Sequence, residues 1–166
     1  MTRETVATAQ AVIRLERRYE VKVEDLWRLW TTKAGLESWW GPEGFVVKVH
    51  QLELRVGGKL SYDMIADAPP QIEFMKQAGM PRSHATHATF VAIEPLERLV
   101  INHLIDFIPG VKPYDNRVQV EFFRDGREVR MLITVDAHPD PQWTQRATLG
   151  WESQLTKLPA ALRARA

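Results

Sequence analysis

The chain of 166 residues contains no cysteine. Disulfide bonds, thiol nucleophiles and thiolate metal sites are therefore excluded. The chain also lacks an excess of one charge, since 22 Lys and Arg residues stand against 21 Asp and Glu residues, which gives a net charge of +1. A chain so balanced does not indicate nucleic acid as a partner.

Long apolar runs are missing as well. Residues 1–21 contain no signal-peptide core, and no stretch is long enough for a transmembrane helix, so we predict a cytoplasmic protein without membrane insertion. There is no phosphate-binding loop, because Gly57-Gly58 is typical of a hairpin turn. His84 and His87 fall on opposite faces of a predicted strand, which is poor metal geometry. The sequence predicts neither a metal nor a cofactor.

Tryptophan, in contrast, is abundant, with six residues in 166. Trp39 and Trp40 are adjacent and are followed directly by Gly41-Pro42, which ends a helical segment. Because adjacent side chains diverge, we expect one ring to be a structural plug and the other to face a cavity. Contact with the following turn favours Trp40 as the plug.

Hydrophobic periodicity predicts a first strand over 12–21, two short helices over 23–31 and 32–40, and then six strands joined mainly by hairpins. Thr32 is a candidate N-cap of the second short helix. A phase shift near His50-Gln51 predicts a β-bulge. Residues 66–83 interrupt the strands and predict a short helix, which could act as a lid.

The C-terminal segment predicts a long helix with one apolar face, with Asp140 as its N-cap and Pro141 at its first position. Gly150 lies inside this helix, and we expect close approach to the sheet as the reason. Pro159 is expected to kink or end the helix. The predicted class is α+β, a curved seven-stranded antiparallel sheet wrapped around a long C-terminal helix, as a single domain over 11–166 behind a flexible tail over 1–10.

Several ordered motifs resemble the family named for the activator of the 90-kDa heat-shock protein ATPase. The resemblance implies the helix-grip fold of the START-like (SRPBCC) superfamily, whose members include proteins that sequester hydrophobic ligands, polyketide cyclases and co-chaperone domains. The motifs that carry it span roughly Val12 to Leu162 and are Leu26-Trp27, Trp39–Pro42, Arg55–Gly58, Ile93–Leu99 and Gly150-Trp151.

A curved sheet around a helix tends to leave a cavity, and aromatic residues would line it. The alternative is that these residues are ordinary core. The candidate ligand-binding residues are Trp27, Trp30, Trp39, Tyr62, Met64, Phe90, His103, Phe107, Phe122, Met131, Trp143 and Trp151.

The leading functional hypothesis is binding of a small hydrophobic or aromatic molecule. The second is an enzyme of polyketide cyclase type, in which His103 would move protons together with Tyr62 or with a carboxylate such as Asp63 or Asp106. A third is a co-chaperone role that stimulates a chaperone ATPase. The sequence leaves homodimerisation open.

Overall fold

The computed structural model describes residues 11–108 and 110–164, so the predicted tail over 1–10 lies outside the described residues. Seven strands form one antiparallel sheet in the order β1-β7-β6-β5-β4-β3-β2. The first strand therefore pairs with the last. The strands are β1 (Val12–Tyr19), β2 (Phe45–Leu52), β3 (Lys59–Ala66), β4 (Ser83–Glu94), β5 (Arg98–Ile105), β6 (Tyr114–Asp125) and β7 (Glu128–Asp136).

Five helices accompany the sheet in the residues that the structure describes. Two short ones follow β1, a third separates β3 from β4, and the last two follow β7. They are α1 (Val23–Thr31), α2 (Lys33–Trp39), α3 (Pro69–Gln77), α4 (Pro141–Leu155) and α5 (Leu158–Ala164). The predicted α+β class is thus confirmed, with its curved seven-stranded sheet, its C-terminal helix and its two short helices between the first two strands. None of the described helices is long and apolar enough to cross a membrane.

Side-chain caps explain where two of the helices begin. The Thr32 hydroxyl accepts a hydrogen bond from the Gly35 amide at 3.0 Å, which satisfies a free N–H in the first turn of α2. The Asp140 carboxylate accepts from the Gln142 amide at 2.9 Å and begins α4 in the same way. Both caps were predicted from the sequence, and both are confirmed.

The C-terminal helix is divided by a proline. Pro159 has no N–H to donate, and in a continuous helix its ring would clash with the carbonyl of Leu155, four residues earlier. Helix α4 ends at Leu155, and α5 begins again at Leu158 with Pro159 in its first turn. The break frees α5 to follow a direction of its own, and it packs against α1 and α2.

The sheet is bent by irregularities in its register. The pairing of β2 with β3 shifts between Val49 and Gln51, which confirms the predicted bulge. A second shift lies between Phe90 and Ala92 in β4. Bulges increase local twist, so these two positions help the sheet to curl around the elements that it covers.

The hydrophobic core lies mainly beneath α1, α2 and α5. Leu26, Leu29 and Trp30 of α1 and Leu158 of α5 are at most 1% exposed. Helix α4 differs, because only Gln154 and Leu155 of its 15 residues are buried. Most of α4 therefore stands over the sheet without a closely packed interior beneath it.

Helices α1 and α2 are in such close contact that Gly35 cannot carry a side chain. A Cβ atom at Gly35 would lie 2.3 Å from the Arg28 carbonyl oxygen and 2.8 Å from the Leu29 Cα. Both neighbours are backbone atoms, so the two helices would have to separate. The small side chain is a packing requirement at this position.

We expect Gly35→Ala to lower the free energy of unfolding by about 1–3 kcal/mol through overpacking. The matched control is Gly150→Ala in α4, where an added Cβ meets no atom within 4 Å. That change should raise the free energy of unfolding by about 0.5–1 kcal/mol, because alanine is the better helix former. Denaturant titrations of both variants measure the change in the free energy of unfolding relative to wild type. Equal changes in the two variants would contradict the packing argument at Gly35.

Candidate functional site

A cavity of about 190 Å³ lies between the concave face of the sheet and α4. The strands β3, β5 and β6 form its floor, the end of α2 forms one wall, and α4 forms its roof. The lining residues are Trp40, Pro42, Tyr62, Met64, His103, Ile105, Asn116, Val118, His138, Ala147, Gly150, Trp151 and Gln154.

Gly150 leaves open space in the roof. It lies on the face of α4 that also carries Ala147, Trp151 and Gln154, all of which line the cavity. No atom lies within 4 Å of a Cβ added to Gly150. The expected close approach of helix and sheet at Gly150 is therefore wrong, because the glycine borders a cavity instead of a packed contact.

Trp40 forms the wall of the cavity, and Trp39 is the structural plug. The Trp39 ring is fully buried, and its Nε1 donates to the Leu29 carbonyl at 2.8 Å. Trp40 lines the cavity, and its Nε1 donates to the Tyr62 hydroxyl at 3.0 Å. The expected assignment of these two rings is reversed, because Trp39 points back under α1 while Trp40 points across to β3.

Trp40 belongs to a cluster of four tryptophans. The ring centre of Trp40 is 5.4 Å from Trp30, 5.0 Å from Trp39 and 5.3 Å from Trp151, each in an edge-to-face arrangement. Such pairs add stability beyond the area that they bury. The cluster holds Trp40 rigidly, so this wall of the cavity is fixed in the structure.

His103 is the polar residue of the cavity floor that lacks a partner. It is 7% exposed, which confirms that it faces the interior. Its Nε2 is one of four buried side-chain atoms in the described residues that have no hydrogen-bond partner, and the other three belong to residues outside the cavity lining. Burial lowers the pKa of His103 to about 4, so the ring is neutral at pH 7.

Tyr62 is buried beside His103, with ring centres 6.3 Å apart. Burial raises the pKa of Tyr62 to about 12, and hydrogen bonds from Trp40 and Thr86 oppose that rise only in part. The phenol is therefore protonated at neutral pH, and its oxygen already accepts the hydrogen bond from Trp40. Tyr62 shapes the cavity more than it offers a reactive group.

Two amides also line the cavity, and little in the sequence selects them. Asn116 is 5% exposed, and its Nδ2 donates to the Asp136 carbonyl at 2.9 Å. The Gln154 Oε1 accepts from the Gly41 amide at 2.6 Å, which fastens α4 to the turn after Trp40. The alternation of Asn116 with buried Val118 and Val120 was the available signal, since residues two apart share a face.

The carboxylates proposed as partners of His103 lie elsewhere. Asp63 contacts His50 at 2.8 Å on the outside of the sheet, and Asp106 is exposed. In the part of the chain that the structure describes, no Asp, Glu, Lys or Arg lines the cavity. The described residues also contain no group of three or more His, Asp or Glu that could hold a metal ion.

Four of the twelve predicted ligand-binding residues meet in the cavity lining: Tyr62, Met64, His103 and Trp151. Six are buried in the core around it: Trp27, Trp30, Trp39, Phe90, Phe122 and Met131. Phe107 and Trp143 pair with each other at 5.9 Å, near the start of α4. No residue of 66–83, which the structure describes in full, lines the cavity.

The buried histidine predicts a pH dependence of stability. Its pKa is about 4 in the folded protein, below its usual value of 6.5. Between these values the unfolded chain binds a proton that the folded protein does not, so the free energy of unfolding falls as the pH is lowered. Urea titrations should show that wild type loses about 2 kcal/mol more than His103→Leu between pH 7 and pH 4.5.

Comparing wild type with the variant isolates His103, because the pKa values of His84 and His138 are also lowered by burial and these groups remain in both proteins. His87→Leu is the control, since His87 is exposed on the outside of the sheet. The free energy of unfolding of His87→Leu should change with pH as that of wild type does. If the free energies of unfolding of wild type and His103→Leu change equally with pH, the conclusion that His103 is buried and neutral is contradicted.

Comparison with solved structures supports the fold. A protein from Chromobacterium violaceum is 25% identical with a TM-score of 0.74, over 91% of this chain and 96% of that one. The AHSA1 protein from Silicibacter pomeroyi is 23% identical with a TM-score of 0.74, over 94% and 100%. A protein from Arthrobacter aurescens is 18% identical with a TM-score of 0.75, over 97% and 90%.

No curated protein matches the chain in a sequence search. The model of one protein family, described as Activator of Hsp90 ATPase homolog 1-like protein, matches residues 20–163. This range includes α1 to α4, β2 to β7 and every residue that lines the cavity. The resemblance stated from the motifs is thereby confirmed, and the chain belongs to the Activator of Hsp90 ATPase homolog 1-like family.

Proposed function

We propose that the protein binds a small hydrophobic or aromatic molecule in the cavity between the sheet and α4. The observation that carries this proposal is the space beneath Gly150. A glycine inside a helix costs about 1 kcal/mol relative to alanine, and no neighbouring atom requires it here. A position that loses helix stability and leaves space in a cavity roof is better explained by an occupant of that space than by packing.

The walls suit an apolar occupant. Trp40, Tyr62 and Trp151 present aromatic surface, and Met64 is an adaptable apolar side chain. Ligand sites are commonly apolar cavities with a few fixed polar groups, and Asn116 adds such a group here. The volume of about 190 Å³ lies below the range of roughly 300–1,000 Å³ that is typical for drug-sized ligands. The occupant that we propose is correspondingly small.

The polyketide cyclase alternative has less support from the geometry. It needs a group that moves a proton on or off His103, yet Asp63 contacts His50 and Asp106 is exposed. The remaining candidate partner, Tyr62, has its oxygen engaged by Trp40 and Thr86. A co-chaperone role rests on the family name alone. Binding without chemistry therefore remains the function that the site supports best.

Toluene is the test ligand for this proposal, because it is apolar, single-ringed and small enough for the cavity. Wild type should give saturable 1:1 binding in calorimetry, with a change in tryptophan fluorescence because Trp40 and Trp151 line the site. Gly150→Phe should abolish both signals, since its ring would occupy the space. Gly150→Ala is the matched comparison, since it adds a single methyl group to the same space, and it should weaken binding less than Gly150→Phe.

Circular dichroism shows whether Gly150→Phe remains folded. Absence of saturable toluene binding to wild type would contradict the proposal. So would undiminished binding to folded Gly150→Phe, because the ligand would then lie elsewhere.

A further inference from the structure

We propose that the natural ligand is an uncharged single-ring molecule bearing one hydroxyl group, of phenol type, whose hydroxyl pairs with the imidazole of His103. The inference rests on the proposed function and narrows it to a ligand class. Three independent features of the cavity support it: its charge, its unpaired hydrogen-bonding group and its volume.

The cavity carries no charge at neutral pH. Of its lining residues in the described chain, only the two histidines could become cationic, and burial lowers the pKa of both His103 and His138. The cation behind the Trp40 wall, Lys157, does not line the cavity and donates instead to the backbone carbonyls of Trp40 and Phe45. A carboxylate ligand would lose its hydration without gaining an opposite charge, which is strongly unfavourable.

Among the lining residues, His103 is the one that keeps a fully buried polar atom unpaired. Trp40 and Thr86 engage the Tyr62 oxygen, the Asn116 Nδ2 bonds Asp136, and the Gln154 Oε1 bonds Gly41. The Nε2 of His103 has no partner in the protein. A buried polar atom without a partner costs about 1–3 kcal/mol, so a ligand that pairs with it gains accordingly.

A hydroxyl group suits a neutral imidazole in either tautomer. Neutral histidine has one N–H donor and one bare nitrogen acceptor, and a hydroxyl can both donate and accept. A ligand with only a donor or only an acceptor would match one tautomer alone. The neutral imidazole of His103 therefore favours a ligand with a hydroxyl group over a ligand with a purely apolar substituent.

The volume of the cavity matches a ligand with one ring. Engineered apolar cavities of about 150 Å³ in another protein hold benzene. The cavity here is about 190 Å³, which adds space for a hydroxyl and a small substituent. A second fused ring would extend beyond this volume.

The experiment compares phenol, toluene and benzoate by calorimetry at pH 7.5 in wild type, His103→Leu and His87→Leu. Leucine is apolar and similar in size to histidine, and the affinity of each protein for toluene is the reference for its affinity for phenol. The phenol-to-toluene affinity ratio should fall at least about tenfold in His103→Leu, because the hydroxyl then lies buried without a partner. His87→Leu, on the outside of the sheet, should keep the wild-type ratio. Benzoate should not bind to wild type.

The outcomes separate the two proposals. If wild type binds none of the three compounds, the proposed function fails. If toluene binds to wild type but benzoate binds as tightly as phenol, only the proposed ligand class is wrong. The same conclusion follows if the phenol-to-toluene affinity ratio of His103→Leu equals that of wild type. If His103→Leu does not fold, a second measurement on wild type tests the inference. In nitrogen NMR, the chemical shifts of the His103 ring nitrogens should change when phenol is added and not when toluene is added. Equal shifts with the two compounds would overturn the inference.

Discussion

The hydrogen bond from Trp40 to the Tyr62 hydroxyl fixes how the helical end of the molecule meets the sheet. On one side, Trp40 packs edge-to-face on the rings of Trp30 and Trp39, which belong to α1 and α2. On the other, it faces Tyr62 and stacks beside His103 with an angle of 9° between the rings. One side chain thus separates the buried rings of Trp30 and Trp39 from a cavity. The cavity exists because Trp40 is held away from its centre, by the cluster behind it and by the bond across it.

The second constraint is the divided C-terminal helix. Pro159 ends α4 at Leu155, so α5 can pack against α1 and α2 while α4 remains over the sheet. The Gln154 side chain, at the junction, accepts from the Gly41 amide and joins the roof of the cavity to the turn after Trp40. This hydrogen bond therefore fixes the roof of the cavity, which is α4, to its wall at Trp40. The space between them persists because the backbone around it is anchored, and Gly150 adds no atoms to fill it.

Local patterns predicted most of the fold because they act over a few residues. Alternation with period two located the strands and placed His103 inward with Leu99 and Ile101, and capping residues marked the starts of α2 and α4. The site was harder to predict, because which residues line the cavity depends on contacts between segments that are distant in the sequence. The turn after Trp40 was the local signal for these two rings, and it selected the wrong one. Nothing local shows that Gln154 reaches Gly41. Gly150 illustrates the limit: the sequence shows that the side chain is absent, and only the fold shows whether the space is filled.

Two losses of stability coincide at this cavity. Gly150 weakens α4 by about 1 kcal/mol without a packing contact that requires it. Opposite it, the Nε2 of His103 is buried without a partner, at a cost of about 1–3 kcal/mol. Either feature alone could be incidental, since Trp30 in the core also has an unpaired nitrogen. Together they border one space, and violations of local folding rules tend to gather where a protein functions. A ligand that binds only the folded state would offset both losses, because it fills the space and pairs with the histidine.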